Sequence, residues 1–212
     1  MVNAILDIRH FALTGLMFKR SLMSEDRVFP IISHLLNSEP LNWLRTGNLR
    51  SYMEIGVADG FTLECRLKEH GCCLEKVVLC DDWGGVDGGT NRGGHSHIAD
   101  LLGRHKFPLE NAIFLDGDST VEIPRYFAKN PDEMFDFIFV DGGKSVSVAS
   151  QDLENTYKHA RILGLHDIRN PSHLYLRTLF YSFYETIREG YVLVDDGDYF
   201  GMLMRRDLWN WE

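Results

Sequence analysis

Ser51-Tyr52-Met53-Glu54-Ile55-Gly56-Val57-Ala58-Asp59-Gly60 decides how the rest of the chain is read. A short apolar run ends in glycine, a second glycine follows four residues later, and residues 61–70 continue in a helix-compatible pattern that Gly71 stops. That order predicts a strand over 51–57, a tight turn and a helix. The texture then repeats. Residues 76–80 form a second apolar run ending in Asp81 and Asp82, followed by a glycine-rich loop over 84–94 and a helix from about Ser96. Residues 112–115 form a third, ending in Asp116-Gly117-Asp118, and residues 135–140 a fourth, ending in Asp141-Gly142-Gly143. Val146, Ala149, Leu153, Tyr157 and Ala160 repeat at three- and four-residue spacing as in a helix, and 162–165 make a fifth strand before His166-Asp167.

Further out, Pro171 opens a helix with Leu176, Phe180, Phe183 and Ile187 on one face and Gly190 beyond its end. Residues 191–194 and 200–204 flank Asp195-Asp196-Gly197-Asp198, which reads as a hairpin. Residues 191–196 also have the look of a parallel strand ending in two carboxylates, but that reading leaves 161–190 as an oversized crossover. On the other side of the opening motif, Phe29, Ile32, Leu35 and Leu36 fall at helical spacing, and Leu41, Trp43 and Leu44 add an apolar cluster. The expected organisation is a helical N-terminal appendage over 1–49 and one α/β domain over 50–212. That domain is a Rossmann-like, seven-stranded, mostly parallel sheet closed by a C-terminal antiparallel hairpin.

Composition narrows the function. A net charge of −9 and a pI near 5.4 repel polyanions, so nucleic acid is not the expected partner. Cys65, Cys72, Cys73 and Cys80 lack zinc-ligand spacing and read as reduced thiols. With no apolar run of membrane-spanning length and no export signal, the expectation is a cytoplasmic protein with no membrane partner. Nothing in the residues fixes the oligomeric state.

Ligands of open parallel sheets bind outside the carboxyl ends of the strands. Five strand ends therefore converge on one candidate site: Glu54 with Gly56 and Gly60, then Asp81 and Asp82, then Asp118, then Asp141 with Lys144, then His166 with Asp167. The Gly-x-Gly-x-x-Gly of a dinucleotide phosphate loop is absent. A carboxylate at Asp81 can accept both hydroxyls of a ribose, with Asp82 as the neighbour that competes for that assignment.

Glu54-Ile55-Gly56-Val57-Ala58-Asp59-Gly60 resembles the first motif of class I S-adenosylmethionine-dependent methyltransferases, an acidic residue followed by Gly-x-x-x-Gly. The likeness extends over about 51–205. It is similar to a subgroup of small enzymes whose fourth strand ends in Asp-Gly-x-His and whose fifth ends in His-Asp, here Asp141-Gly142-Gly143-Lys144 and His166-Asp167. Lys144 departs from that pattern and brings the chain nearer to metal-dependent catechol-type O-methyltransferases, with their Asp-x-x-Lys.

The resemblance implies S-adenosylmethionine as cofactor, held by Glu54, Gly56, Gly60, Asp81 or Asp82, Asp118 and Ser119, with the last two at the adenine region. It implies a small-molecule acceptor, methylated on oxygen and served by Asp141, Lys144 and His166, with or without Mg²⁺ on Asp141 and Asp167. The alternative is a non-catalytic binding module on the same fold.

Overall fold

In a computed structural model, residues 49–71, 73–84, 94–195 and 200–208 are described. Seven strands form one sheet: β1 (Ser51–Ile55), β2 (Lys76–Asp81), β3 (Ala112–Asp116), β4 (Phe135–Val140), β5 (Ala160–Leu165), β6 (Tyr191–Asp195) and β7 (Gly201–Arg205). Their order is β3-β2-β1-β4-β5-β7-β6. The helices are α1 (Phe61–His70), α2 (Gly94–Arg104), α3 (Ser119–Lys129), α4 (Val146–Thr156) and α5 (Leu174–Ile187). No described helix is long and apolar enough to cross a membrane.

β1 sits at the centre because it is apolar on both faces and pairs in parallel on both sides, Met53 lying opposite Val78 and Ile138. Alternation along the strands separates two cores. Tyr52, Val77, Leu79 and Phe137 pack with Leu63 and Leu67 of α1 and with Ile98 and Leu102 of α2. Met53, Val78, Ile138 and Leu163 pack on the other face with Ile123 of α3, Leu153 of α4 and Phe180 of α5. The crossovers thus change face at β1, whose neighbours β2 and β4 part there, and a crevice opens at its carboxyl end.

Five features differ from the sequence reading. β1 stops at Ile55, not residue 57, because Gly56 turns into the left-handed region at φ +82°. α2 begins at Gly94, so Ser96 lies inside the helix. α3, which the sequence reading did not draw, is capped by Asp118, buries Ile123, Tyr126 and Phe127 and tolerates Pro124 in its interior.

α4 ends at Thr156, whose buried hydroxyl donates to the Asp152 carbonyl at 2.6 Å; a 3-10 turn over Tyr157–His159 then delivers Ala160 to β5 instead of to the helix. The helix expected from Pro171 is a 3-10 turn over Pro171–His173 followed by α5.

The C-terminal hairpin is present, with Tyr191 opposite Arg205 and Asp195 opposite Gly201. β7 runs antiparallel to both β5 and β6, so β6 points the same way as β1–β5. The direction that the crossover length argued against is thus the one that 191–195 takes, and it holds together with the hairpin because β7 inserts between β5 and β6. Residues 1–48, which carry almost all of the expected appendage, and most of the glycine-rich loop, 85–93, lie outside the described residues.

Candidate functional site

The turn after β1 is built so that backbones can touch. A Cβ on Gly56 would lie 2.5 Å from the Asp141 carbonyl oxygen, closer than any side chain can approach. The same contact is tied by Gly56 N donating to Cys80 O at 2.9 Å and Asp141 N to Ile55 O at 2.8 Å. Gly60, at φ +79°, closes the turn through its N–H to Val57 O at 2.8 Å and opens α1. The exits of β1, β2 and β4 are thereby laced into one rim.

Along the β2 and β3 end, backbone N–H groups answer the acids. Asp81 accepts from Ala58 N through Oδ2 at 2.8 Å and from Trp83 N through Oδ1 at 2.7 Å, which sets it directly against the Gly56–Gly60 turn. Asp82 is exposed and accepts from Gly84 N at 2.9 Å. Asp118 Oδ1 accepts from both Thr120 N and Thr120 Oγ1 at 2.8 Å, as a helix cap, and Ser119 is the first residue of α3. Of the acids singled out at this end, only Asp81 reaches the β1 turn through a hydrogen bond.

At the β4 and β5 end, side chains meet across the strands. Lys144 Nζ donates to Asp141 Oδ1 and lies 3.3 Å from Asp167 Oδ2. His166 Nδ1 lies 2.9 Å from Asp141 Oδ1 and 3.6 Å from Asp167 Oδ2. Asp167 itself sits at φ +62° and accepts from Asn170 Nδ2 at 3.0 Å.

Burial lowers the pKa of His166, but its bonds to Asp141 and Asp167 outweigh this and lift the imidazole to about 9. Burial raises the pKa of Asp167, yet His166, Asn170 and Lys144 together hold that carboxyl well below the usual range. One ligand atom each from Asp141, His166 and Asp167 falls within a 4.8 Å cluster, an O,O,N donor set able to take a divalent cation.

Asp141 and His166 line a cavity of about 300 Å³ that runs along α1. Its walls are mainly apolar and include Phe61, Phe137, Phe139 and Phe200. Glu54 lines it too, fully buried, with Tyr52 Oη donating to its Oε2 at 2.9 Å. Burial pushes Glu54 up to about 8 and Asp141 adds to this, while the Tyr52 bond and the Arg66 charge pull it down.

Among the lining residues that the sequence reading missed are Arg66 and His70, which are 3% and 5% exposed. The signal was present in the spacing Leu63-Arg66-Leu67-His70, which puts both on the apolar stripe of α1.

Solved structures share this architecture. CalS11, a TDP-rhamnose 3'-O-methyltransferase of calicheamicin biosynthesis, superposes at a TM-score of 0.63 with 17% identity, over 85% of this chain and 80% of its own. The O-methyltransferase NovP gives 0.58 with 13% identity over 82% and 79%. TomG from Streptomyces achromogenes, an O-methyltransferase solved in complex with SAM, gives 0.54 with 15% identity over 93% and 85%. No family model and no curated protein matches the sequence. The chain has the class I methyltransferase fold.

Proposed function

We propose that the protein is an S-adenosylmethionine-dependent methyltransferase acting on a hydroxyl of a small molecule, assisted by a divalent cation. One observation carries this reading. The close-packed Gly56 turn and the Asp141–Lys144–His166–Asp167 cluster meet at a single rim over one cavity.

The residues fit the cofactor. Gly56 and Gly60 leave backbone open to a ligand, Glu54 offers a buried carboxyl to a cationic amino group, and Asp81 stands beside the turn for a ribose. Asp118 and Ser119 stand at the β3 exit for the adenine end. The cluster fits a divalent cation through the carboxylates of Asp141 and Asp167, with His166 as the third donor.

When bound, the cofactor supplies an electrophilic methyl group and the cation lowers the pKa of a coordinated hydroxyl. The chain's own contribution is placement and proton transfer. Asp141 and His166, facing the cavity, orient the hydroxyl, and Lys144 Nζ, set between Asp141 and Asp167, is placed to take its proton, a step that draws on the neutral amine form of Lys144.

Calorimetry with S-adenosylmethionine and S-adenosylhomocysteine, with and without Mg²⁺, tests the reading on wild type and Asp81→Ala. Binding weakened by Asp81→Ala is expected, as is Mg²⁺ binding that Asp167→Asn weakens. Failure of both nucleosides to bind overturns the proposal and leaves the fold as a scaffold.

A further inference from the structure

The inner part of the cavity carries polar groups that catalysis at the rim does not use. α1 descends from Gly60 at the rim, so Arg66 and His70 lie about 1.7 and 2.8 turns below it, about 9 and 15 Å down the helix at about 1.5 Å per residue. Arg66 Nη1 pairs with Glu69 Oε2 at 2.9 Å, and the guanidinium lies over the Phe137 ring at 5.6 Å. Arg66 Nε and His70 Nδ1 are buried with no hydrogen-bonding partner among the described residues. Buried polar nitrogens left in this state are costly unless a ligand answers them. Burial and the Arg66 charge keep His70 neutral, pulling it down to about 4, so its ring can turn an N–H toward an acceptor.

We infer that Arg66 and His70 form an anion subsite, and that the methyl acceptor is a flat hydroxylated ring whose carboxylate is held there while its hydroxyl faces Asp141 and His166. The inference rests on the methyltransferase reading for the direction of the hydroxyl. Three observations select this chemistry. Four phenylalanines give flat apolar walls, a cavity of about 300 Å³ stands at the low end of small-molecule sites, and an unmatched arginine N–H favours a charged acceptor over a neutral one.

The test is calorimetric binding of two probes, 3,4-dihydroxybenzoate and catechol, to the full chain with and without S-adenosylhomocysteine. Wild type is expected to prefer the carboxylate probe at least tenfold. Arg66→Met combined with Glu69→Gln, which avoids stranding an acid, should abolish the preference, and His70→Phe should reduce it at least threefold. Both variants should keep the wild-type affinity for S-adenosylhomocysteine, which also reports that they fold.

A wild-type preference below threefold, no binding by either probe, or a preference that survives in both variants overturns the inference. So does a parallel loss of S-adenosylhomocysteine affinity, which would assign the subsite to the cofactor. Lack of S-adenosylhomocysteine binding by wild type overturns the methyltransferase reading instead, because the probe preference is measured without it as well.

Discussion

The two ends of the carboxyl rim use the same residue types in different ways. At the β2 and β3 exits, Asp82 and Asp118 bind N–H groups two residues further on, and Asp81 binds those of Trp83 and Ala58. At the β4 and β5 exits, Asp141 and Asp167 face Lys144 and His166, with Asp141 and His166 brought together from separate strands. The first arrangement shapes backbone. The second concentrates charge that substrate, proton or cation can rearrange.

The difference can be broken most forcefully at the second end. Asp141→Asn and Lys144→Met are expected to lower methyl transfer by about 10²–10⁴-fold, the range for removing a proton-transfer group, while Asp82→Ala stays near wild type. Steady-state assays of the three variants with one acceptor check this. Equal losses in all three would erase the distinction between the ends.

A pH titration sharpens it from below the rim. The folded pKa values of Glu54, Asp152 and His166 are raised to about 8, 7 and 9, above their unfolded values. Each therefore stabilises the fold fully below its unfolded pKa and loses that contribution as pH rises through the folded one. His70, lowered to about 4, acts in the opposite sense only below about pH 6.5. The melting temperature of the ligand-free protein should fall between pH 6.5 and 8. Glu54→Gln should flatten the slope, since one pKa unit corresponds to about 1.4 kcal/mol. A profile that Glu54→Gln leaves unchanged would remove Glu54 from the account.

The smallest effect belongs to the capping acid. Asp118→Ala is expected to cost about 1 kcal/mol in chemical denaturation, the usual value of a lost N-cap. It should weaken S-adenosylmethionine binding less than Asp81→Ala does, because Asp81 is tied to the Gly56–Gly60 turn through Ala58 N whereas the Asp118 carboxylate bonds Thr120 at its own helix start.

Much of the fold is legible in the sequence. β1 to β5 announce themselves as apolar runs ending in acid and glycine because a parallel sheet buries both faces and turns at its rim. The Asp141–Lys144–His166–Asp167 cluster follows from two adjacent strand exits. α3 was lost because Pro124 interrupts its pattern, although Ile123, Tyr126 and Phe127 hold the spacing. Arg66 and His70 share the apolar stripe of α1 with Leu63 and Leu67, which marks them as inward-facing. That they line a cavity depends on Phe137 and the rest of its wall, far along the chain, which no local window contains. Nor could alternation reveal that Asp82 and Asp118 would turn to their own backbone, since that choice is made in φ and ψ.

The position of β7 has a consequence for the order in which the molecule assembles. β7 lies between β5 and β6, so β6 has no partner in the sheet until residues 201–205 have left the ribosome. A nascent chain of which residues up to 195 have emerged carries a five-strand sheet with an open edge at β5 and an unattached apolar strand behind α5. That interval is when β5 can pair wrongly with another chain, and slow emergence of 196–205 would lengthen it.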